Sequence, residues 1–277
     1  MSDKRLRFDR IRHLLNPDAL ARKHVVQVGL GSGGAPVNQH LTMAGISKWT
    51  LFDPDDYDEV NLVKHPGLRS QILKAKTDIQ KEWILDRNPE AEVSAFIEDV
   101  INNPRFAESC RSSDLVLCCV DSRGAREFVN STCVTLGIPC VTGAVFRKGI
   151  GGDVYTYKPG KTGCYSCMES FAARSGFELP DTDPELTDEE RDRIYGLEDR
   201  AFVASGLSID IGFIALLHAR MALNVLLEGT ESSIPTIEEN WVVFDNRPRP
   251  RAKQYAKMPV QKDCPIQCGS ATQEKIK

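Results

Sequence analysis

The residues Gly29-Leu30-Gly31-Ser32-Gly33-Gly34 follow an apolar run, Val25 to Val28, and match the pattern G-x-G-x-x-G. Each glycine in that pattern has a physical task. The first permits a tight turn, the second lets backbone approach a phosphate, and the third lets the following helix pack against the strand. The N–H groups at the start of that helix favour an anion. Asp53 stands nineteen residues past Gly34, at the end of the next expected strand, where a carboxylate can accept both hydroxyls of a ribose. A glycine-rich turn without a ligand would not need an acid there. The pattern does not separate NAD from ATP, since both present ribose and phosphates.

Three further residues bear on that choice. Lys64 and Lys76 bracket the segment after the second strand, and Asp121 ends the run DLVLCCVD. A residue there lies at the carboxyl end of a parallel strand, the edge where open α/β sheets bind ligands. Lysines near phosphates with an acid for Mg²⁺ describe a nucleoside-triphosphate site, and a dehydrogenase has no need of them. Taken singly, each also reads as a solvated lysine or a helix-capping aspartate.

Nine cysteines form another pattern. Cys164 and Cys167 make a C-x2-C pair, and Cys264 and Cys268 a C-x3-C pair. Two short-spaced pairs can set four thiolates around a structural Zn²⁺, a closed site with no position left for water. Free thiols or a redox pair is the competing reading. Of the other five, Cys118 and Cys119 lie in an apolar strand and are expected in the core. Cys133 and Cys140 flank a helix–strand turn, and Cys110 is the one of the five most open to exposure, with core packing the default for all.

The elements that must position these residues alternate. Strands are expected at 25–28, 48–52, 93–97, 115–120 and 139–143, with helices at 34–44, 75–87 and 123–136. Gly45 falls where a helix C-cap is wanted, and Asn88-Pro89 stops the second helix. That alternation implies an α/β fold: a Rossmann-like, mostly parallel sheet with helices on both faces. Residues 1–22 are basic and read as a helical arm, and 23–145 as the nucleotide-binding half. Past residue 145 the texture changes to an antiparallel C-terminal part carrying the zinc-type cysteines. It has a strand at 153–157, a long apolar helix from about Ser208 to Glu228, and strands at 241–244 and 253–258. Residues 174–205 are rich in acid and proline and read as an exposed crossover, in which Thr187 and Glu190 fit a capping box.

Composition removes several classes. The 277 residues are 41% hydrophobic and 27% charged, which excludes wholesale disorder. A net charge of −4 argues against a general nucleic-acid surface. The run from Ile209 to Leu227 is interrupted by Asp210, His218, Arg220 and Asn224 and is not expected to span a bilayer. The charged N-terminus is no secretory signal, so a cytoplasmic protein with reduced thiols is expected.

Read in order, these motifs resemble the ThiF/MoeB-like adenylyltransferases, the superfamily of the ubiquitin-activating enzymes. The likeness starts at RFDRIR (Arg7 to Arg12) and runs through VGLGSGG, TLFDPDDYDEVNL, LKAK, DRNP, LVLCCVDS, PCVTGAVFR, CYSC and VVFDNR to CPIQC, so a single adenylation domain over 1–277 is implied. The resemblance implies that Gly29, Gly31 and Gly34 hold ATP phosphates and Asp53 the ribose. Asp55 and Asn61 would surround sugar and phosphates, Lys76 would neutralise the α-phosphate, and Asp121 would hold Mg²⁺. Arg10 matches an arm arginine that reaches into a partner protomer, which implies a homodimer. The implied reaction is attack on ATP by the C-terminal carboxylate of a ubiquitin-like or sulfur-carrier protein ending in Gly-Gly. It releases pyrophosphate and leaves an acyl-adenylate. An NAD(P)-dependent oxidoreductase and a non-catalytic nucleotide-binding partner of an activating enzyme are the alternatives. Three departures stand out: Lys64 where the family usually has arginine, the extra residue in Cys264–Cys268, and the lack of any cysteine from Phe171 to Leu207 for a thioester or persulfide.

Overall fold

The computed structural model describes residues 4–146, 151–175, 206–245 and 251–269. Its strands are β1 His24–Val28, β2 Lys48–Phe52, β3 Glu92–Phe96, β4 Leu115–Cys118, β5 Cys140–Val145, β6 Gly151–Tyr157, β7 Trp241–Asp245 and β8 Arg251–Ala256. They form one sheet in the order β3-β2-β1-β4-β5-β6-β7-β8. Strands β1 to β5 pair in parallel, and β5–β6, β6–β7 and β7–β8 pair antiparallel. The sheet is therefore mixed, parallel first and antiparallel towards the C-terminus, as expected.

The helices are α1 Lys4–Arg7, α2 Pro17–Ala21, α3 Gly34–Ala44, α4 Lys76–Arg87, α5 Pro104–Arg111, α6 Arg123–Leu136, α7 Tyr165–Arg174 and α8 Ser208–Leu226. Local chemistry sets their ends. Gly45, at φ 124°, returns its N–H to Leu41 and Thr42 and closes α3. The Ser122 hydroxyl accepts the Ala125 N–H at the start of α6, and Gly137, at φ 65°, ends it. The N-terminal arm is not one helix. Asn16 caps a separate short helix whose first residue is Pro17, a residue that starts helices well and continues them badly.

Strand residues alternate between two cores. Val25, Leu51, Leu115, Leu117 and Val141 pack with α3, α4 and α8 on one face. Val26, Val28, Phe52, Val116, Cys118 and Cys140 pack with α5 and α6 on the other. Burial on both faces explains why β1 and β4 read as continuous apolar runs.

Cys110 is fully buried, as the core-packing default has it: α5, unforeseen from the sequence, turns Phe106 and Cys110, one helical turn apart, onto the sheet. The strand expected at 115–120 is shorter. The apolar strand ends at Cys118, and Cys119 is half-buried beyond it. Helix α8 is, by length and composition, apolar enough to cross a membrane. Its Ile214, Ala215, His218, Ala222 and Leu226 are instead buried, its apolar ones in the first core. The capping box at Thr187 and Glu190, with most of the crossover, lies outside the described residues.

Leu51 is fully buried and Leu73 is 81% exposed. Leu51→Ala is expected to cost about 2–5 kcal/mol in urea unfolding, and Leu73→Ala within about 0.5 kcal/mol of nothing.

Candidate functional site

The chain leaves β1 towards β2 and β3, then returns to place β4 on the other side of β1. That reversal opens a crevice at the strands' carboxyl ends. A cavity of about 360 Å³ lies there. Gly29, Gly31, Ser32 and Gly33 line it from the glycine loop, Asp53, Asp55, Lys64 and Lys76 from beyond β2, and Asp121 and Arg126 from beyond β4.

The loop's shape depends on missing side chains. Gly29 has φ 87°, and a Cβ on it would lie 2.6 Å from the Cys119 carbonyl oxygen. A Cβ on Gly34 would lie 2.1 Å from the Gly29 carbonyl oxygen. Gly34 thus does not line the cavity; it lets α3 start directly against the turn. The buried Gln27 amide donates to the carbonyls of both glycines, at 3.1 and 2.8 Å. Leu30 is clamped from two sides: its N–H donates to Asp53 Oδ2 at 2.6 Å, and its carbonyl lies 2.8 Å from His65 Nε2. Gly67 N–H donates to His65 Nδ1, so Nε2 carries the proton and the ring is neutral.

The charges converge. Lys76 Nζ lies 2.6 Å from Asp55 Oδ2 and 4.0 Å from Asp53 Oδ1. Burial pushes the Asp53 carboxyl above the ordinary carboxylate range, against the pull of Lys76 and of the Leu30 and Asp55 N–H groups. Burial also pushes the Lys64 ammonium below the usual lysine range, with Asp121 opposing and Lys76 adding to the shift. Two lysines, Arg126 and five carboxylates, Glu98 and Asp99 among them, therefore line one crevice. A polyanion bridged by a cation suits such a mixture better than either charge alone.

Asn61 and Arg10 are not brought to the cavity lining. Asn61 Oδ1 accepts the Asp58 N–H at 3.0 Å, closing a capping box on a short 3-10 turn. Arg10 is exposed in the turn after α1. Arg126, Cys119, Gly143 and His218 line the cavity without having been singled out for it. For Arg126 a signal existed: it falls on the buried stripe of α6 with Val129, Asn130 and Cys133, where an arginine is out of place unless paired.

The four zinc-type cysteines do come together, all buried, their sulfurs within 4.8 Å of one another. The Cys164–Cys264 and Cys167–Cys268 sulfurs are each 3.6 Å apart, and Cys164–Cys167 3.9 Å. Tetrahedral Zn²⁺ with bonds of about 2.3 Å separates its sulfurs by about 3.8 Å, so the spacing fits a zinc site and is far too long for a disulfide. The Gln261 N–H donates to Cys167 Sγ, as suits a thiolate. The extra residue of the second pair is absorbed by Gln267, which takes a left-handed φ of 51°.

Comparison with known proteins agrees with this architecture. The ThiF family matches residues 3–265, and the chain belongs to that family. The chain is 24% identical over 267 residues to ubiquitin-like modifier-activating enzyme 5 of Arabidopsis thaliana, covering 90% of this chain and 58% of that protein. It is 27% identical over 151 residues to the sulfur carrier protein ThiS adenylyltransferase of Escherichia coli, covering 54% of this chain and 59% of that one. The chain thus spans less than two thirds of these relatives. Its fold is that of Escherichia coli MccB. The structure of MccB with AMPCPP and the MccA peptide superposes with a TM-score of 0.67 at 21% identity, over 91% of this chain and 68% of MccB. The structure with ATP gives 0.66 over 90% and 68%.

Two outcomes follow. Purified chain should carry one zinc by elemental analysis, and Cys167→Ser should lose the metal and lower the unfolding temperature. Stability should also depend on pH. Burial lowers His65 and His218 to about 4 from 6.5, so between those values the unfolded chain binds protons that the folded chain refuses. Asp153, raised by burial to about 6, works the other way between 3.8 and 6. His24, also lowered by burial, adds to the histidines, and Asp53 and Glu169, also raised by burial, add to Asp153. Removing one group isolates its part: between pH 6.5 and 4.5 the urea midpoint of His65→Gln should fall less steeply than that of the unaltered chain.

Proposed function

We propose that this chain is an ATP-dependent adenylyltransferase that activates the C-terminal carboxylate of a small carrier protein. The observation that carries this reading is the gathering of Lys64, Lys76, Asp53, Asp55 and Asp121 around the glycine-loop cavity. Asp53 would accept ribose hydroxyls with the lone pairs its two backbone N–H donors leave open. The glycine-loop N–H groups and Lys76 would take up phosphate charge, and Lys64 would take the place of the family's usual arginine. A lysine keeps the charge and gives up the bidentate fork. Mg²⁺, when bound by Asp121, would supply charge neutralisation on the phosphates.

In the proposed reaction a carboxylate oxygen attacks the α-phosphorus, the bond to the bridging oxygen breaks, and pyrophosphate leaves with that electron pair. Positioning and charge neutralisation supply the catalysis, so the chain needs no covalent group for this step. A ubiquitin-like or sulfur-carrier protein ending in Gly-Gly is the acceptor, because relatives carry the names of enzymes for such proteins. A homodimer with Arg10 completing the partner's site is part of the proposal, and reduced thiols at the four-cysteine site suit the cytoplasm. The oxidoreductase reading accounts for the glycine loop and Asp53 but leaves Lys64, Lys76 and Asp121 without work.

ATP–pyrophosphate exchange with a panel of Gly-Gly-ending carrier proteins tests the proposal. Exchange should appear with at least one carrier, and Lys76→Ala or Asp121→Asn should slow it about a hundredfold or more. Mixing Arg10→Ala with Lys76→Ala should restore exchange if the arm acts across a dimer. No exchange with any carrier, or an Asp121→Asn variant at full rate, would refute it.

A further inference from the structure

Leu30 stands between Gly29 and Gly31, which line the cavity, while its own side chain is fully buried in the first core. The histidine on its carbonyl is itself held with care. His65 is 4% exposed, and both ring nitrogens are spent on backbone: Nε2 donates to the Leu30 carbonyl at 2.8 Å, and Nδ1 accepts the Gly67 N–H at 3.1 Å. Gly67 is fixed in turn. Its carbonyl accepts the Tyr57 hydroxyl at 3.0 Å, and a Cβ on it would lie 2.8 Å from the Tyr57 ring. The buried Tyr57 ring packs beside the imidazole, with centroids 4.8 Å apart. A ring buried with all its hydrogen bonds met joins two segments, the glycine loop and residues 57–67.

The second segment is the one that brings Lys64 to the cavity. The Asn61 carbonyl accepts the N–H groups of both Lys64, at 3.0 Å, and His65, at 2.8 Å, so the local cap at Asn61 starts the turn that presents the lysine. His65 is the only buried residue of 61–67. It is also the immediate neighbour of Lys64, and consecutive Cα atoms stand about 3.8 Å apart. Holding the imidazole therefore fixes the point from which the lysine stem leaves the chain. A lysine needs this more than an arginine would. Its ammonium is a point charge on a flexible stem, with no planar fork to set its own geometry on a phosphate.

We infer that His65 is a positioning residue: by tying the Lys64 turn to the Leu30 carbonyl, it makes the lysine and the glycine-loop N–H groups one preformed receptor for the phosphates of a nucleoside triphosphate. This rests on the adenylyltransferase reading. With both nitrogens spent, the imidazole has no bond to give a phosphate and acts through Lys64.

A double-mutant cycle read by isothermal titration calorimetry with MgATP tests the inference. Lys64→Ala and His65→Ala should each weaken MgATP about tenfold, and the double variant no more than about twofold beyond Lys64→Ala alone. His65→Gln should stay within about twofold of wild type, because a carboxamide offers one donor for Leu30 and one acceptor for Gly67. A His65 that only shaped the glycine loop would give additive losses, since the loop would bind phosphate worse with or without the lysine. Tyr57→Phe keeps the ring beside His65 and gives up only the bond to Gly67. It should show a smaller loss that also vanishes in the Lys64→Ala background, and it carries the test if His65→Ala does not fold; wild-type affinity in Tyr57→Phe would then overturn the inference. Additive losses would overturn it, as would undiminished affinity in His65→Ala or a His65→Gln variant as weak as His65→Ala. Lys64→Ala at wild-type affinity would overturn it too, because no lysine contact would be left to position. Each of these results leaves the nucleotide site standing. Wild-type chain that binds no MgATP would remove the adenylyltransferase reading, and the inference with it.

Discussion

The whole site depends on how closely two strand ends approach each other. Gly29 leaves β1 against the backbone that follows β4, with no room for a Cβ before the Cys119 carbonyl. Gly34 starts α3 against the same turn. Because these backbones touch, the N-terminus of α3 and the loop carrying Asp121 face a common space. The buried Gln27 amide holds the two glycine carbonyls, and Asp53 and His65 hold Leu30 between them. A larger residue at either glycine would separate elements that every other part of the cavity takes as fixed.

Onto that fixed turn the two halves of the sheet add different chemistry. The parallel half brings lysines and carboxylates from the loops after β2 and β4. The antiparallel half brings Gly143, Val145 and Phe146 to the lining. The four-cysteine cluster ties the segment after β8 to the start of α7 and lies in the core beneath α6. A metal held by four thiolates would leave no position open for chemistry there. It would hold the C-terminal part of the chain against the sheet.

Most of the parallel half was legible, because both faces of its strands are buried and its turns carry glycine, proline and capping residues at their positions. Helices α5 and α7 were not. Helix α5 is eight residues long, and its apolar signal is little more than Phe106 and Cys110. Helix α7 begins inside the C-x2-C pair, so its residues read as metal ligands before they read as a helix. The site divides the same way. Gly29, Gly31, Asp53, Asp55, Lys64, Lys76 and Asp121 meet in the cavity. Asn61 spends its side chain on a local cap, a competition that spacing does not reveal. Arg126 carried a signal, its place on the buried stripe of α6, that motif spacing does not weigh.

The central claim is that this glycine loop serves ATP. Thermal unfolding with MgATP and, separately, with NADH and NADPH tests it most directly and needs no knowledge of the acceptor. A ligand at a hundred times its dissociation constant stabilises the folded chain by about 2.7 kcal/mol. The account predicts a raised midpoint with MgATP and none with either nicotinamide cofactor. A shift with NADH or NADPH and none with MgATP would contradict it.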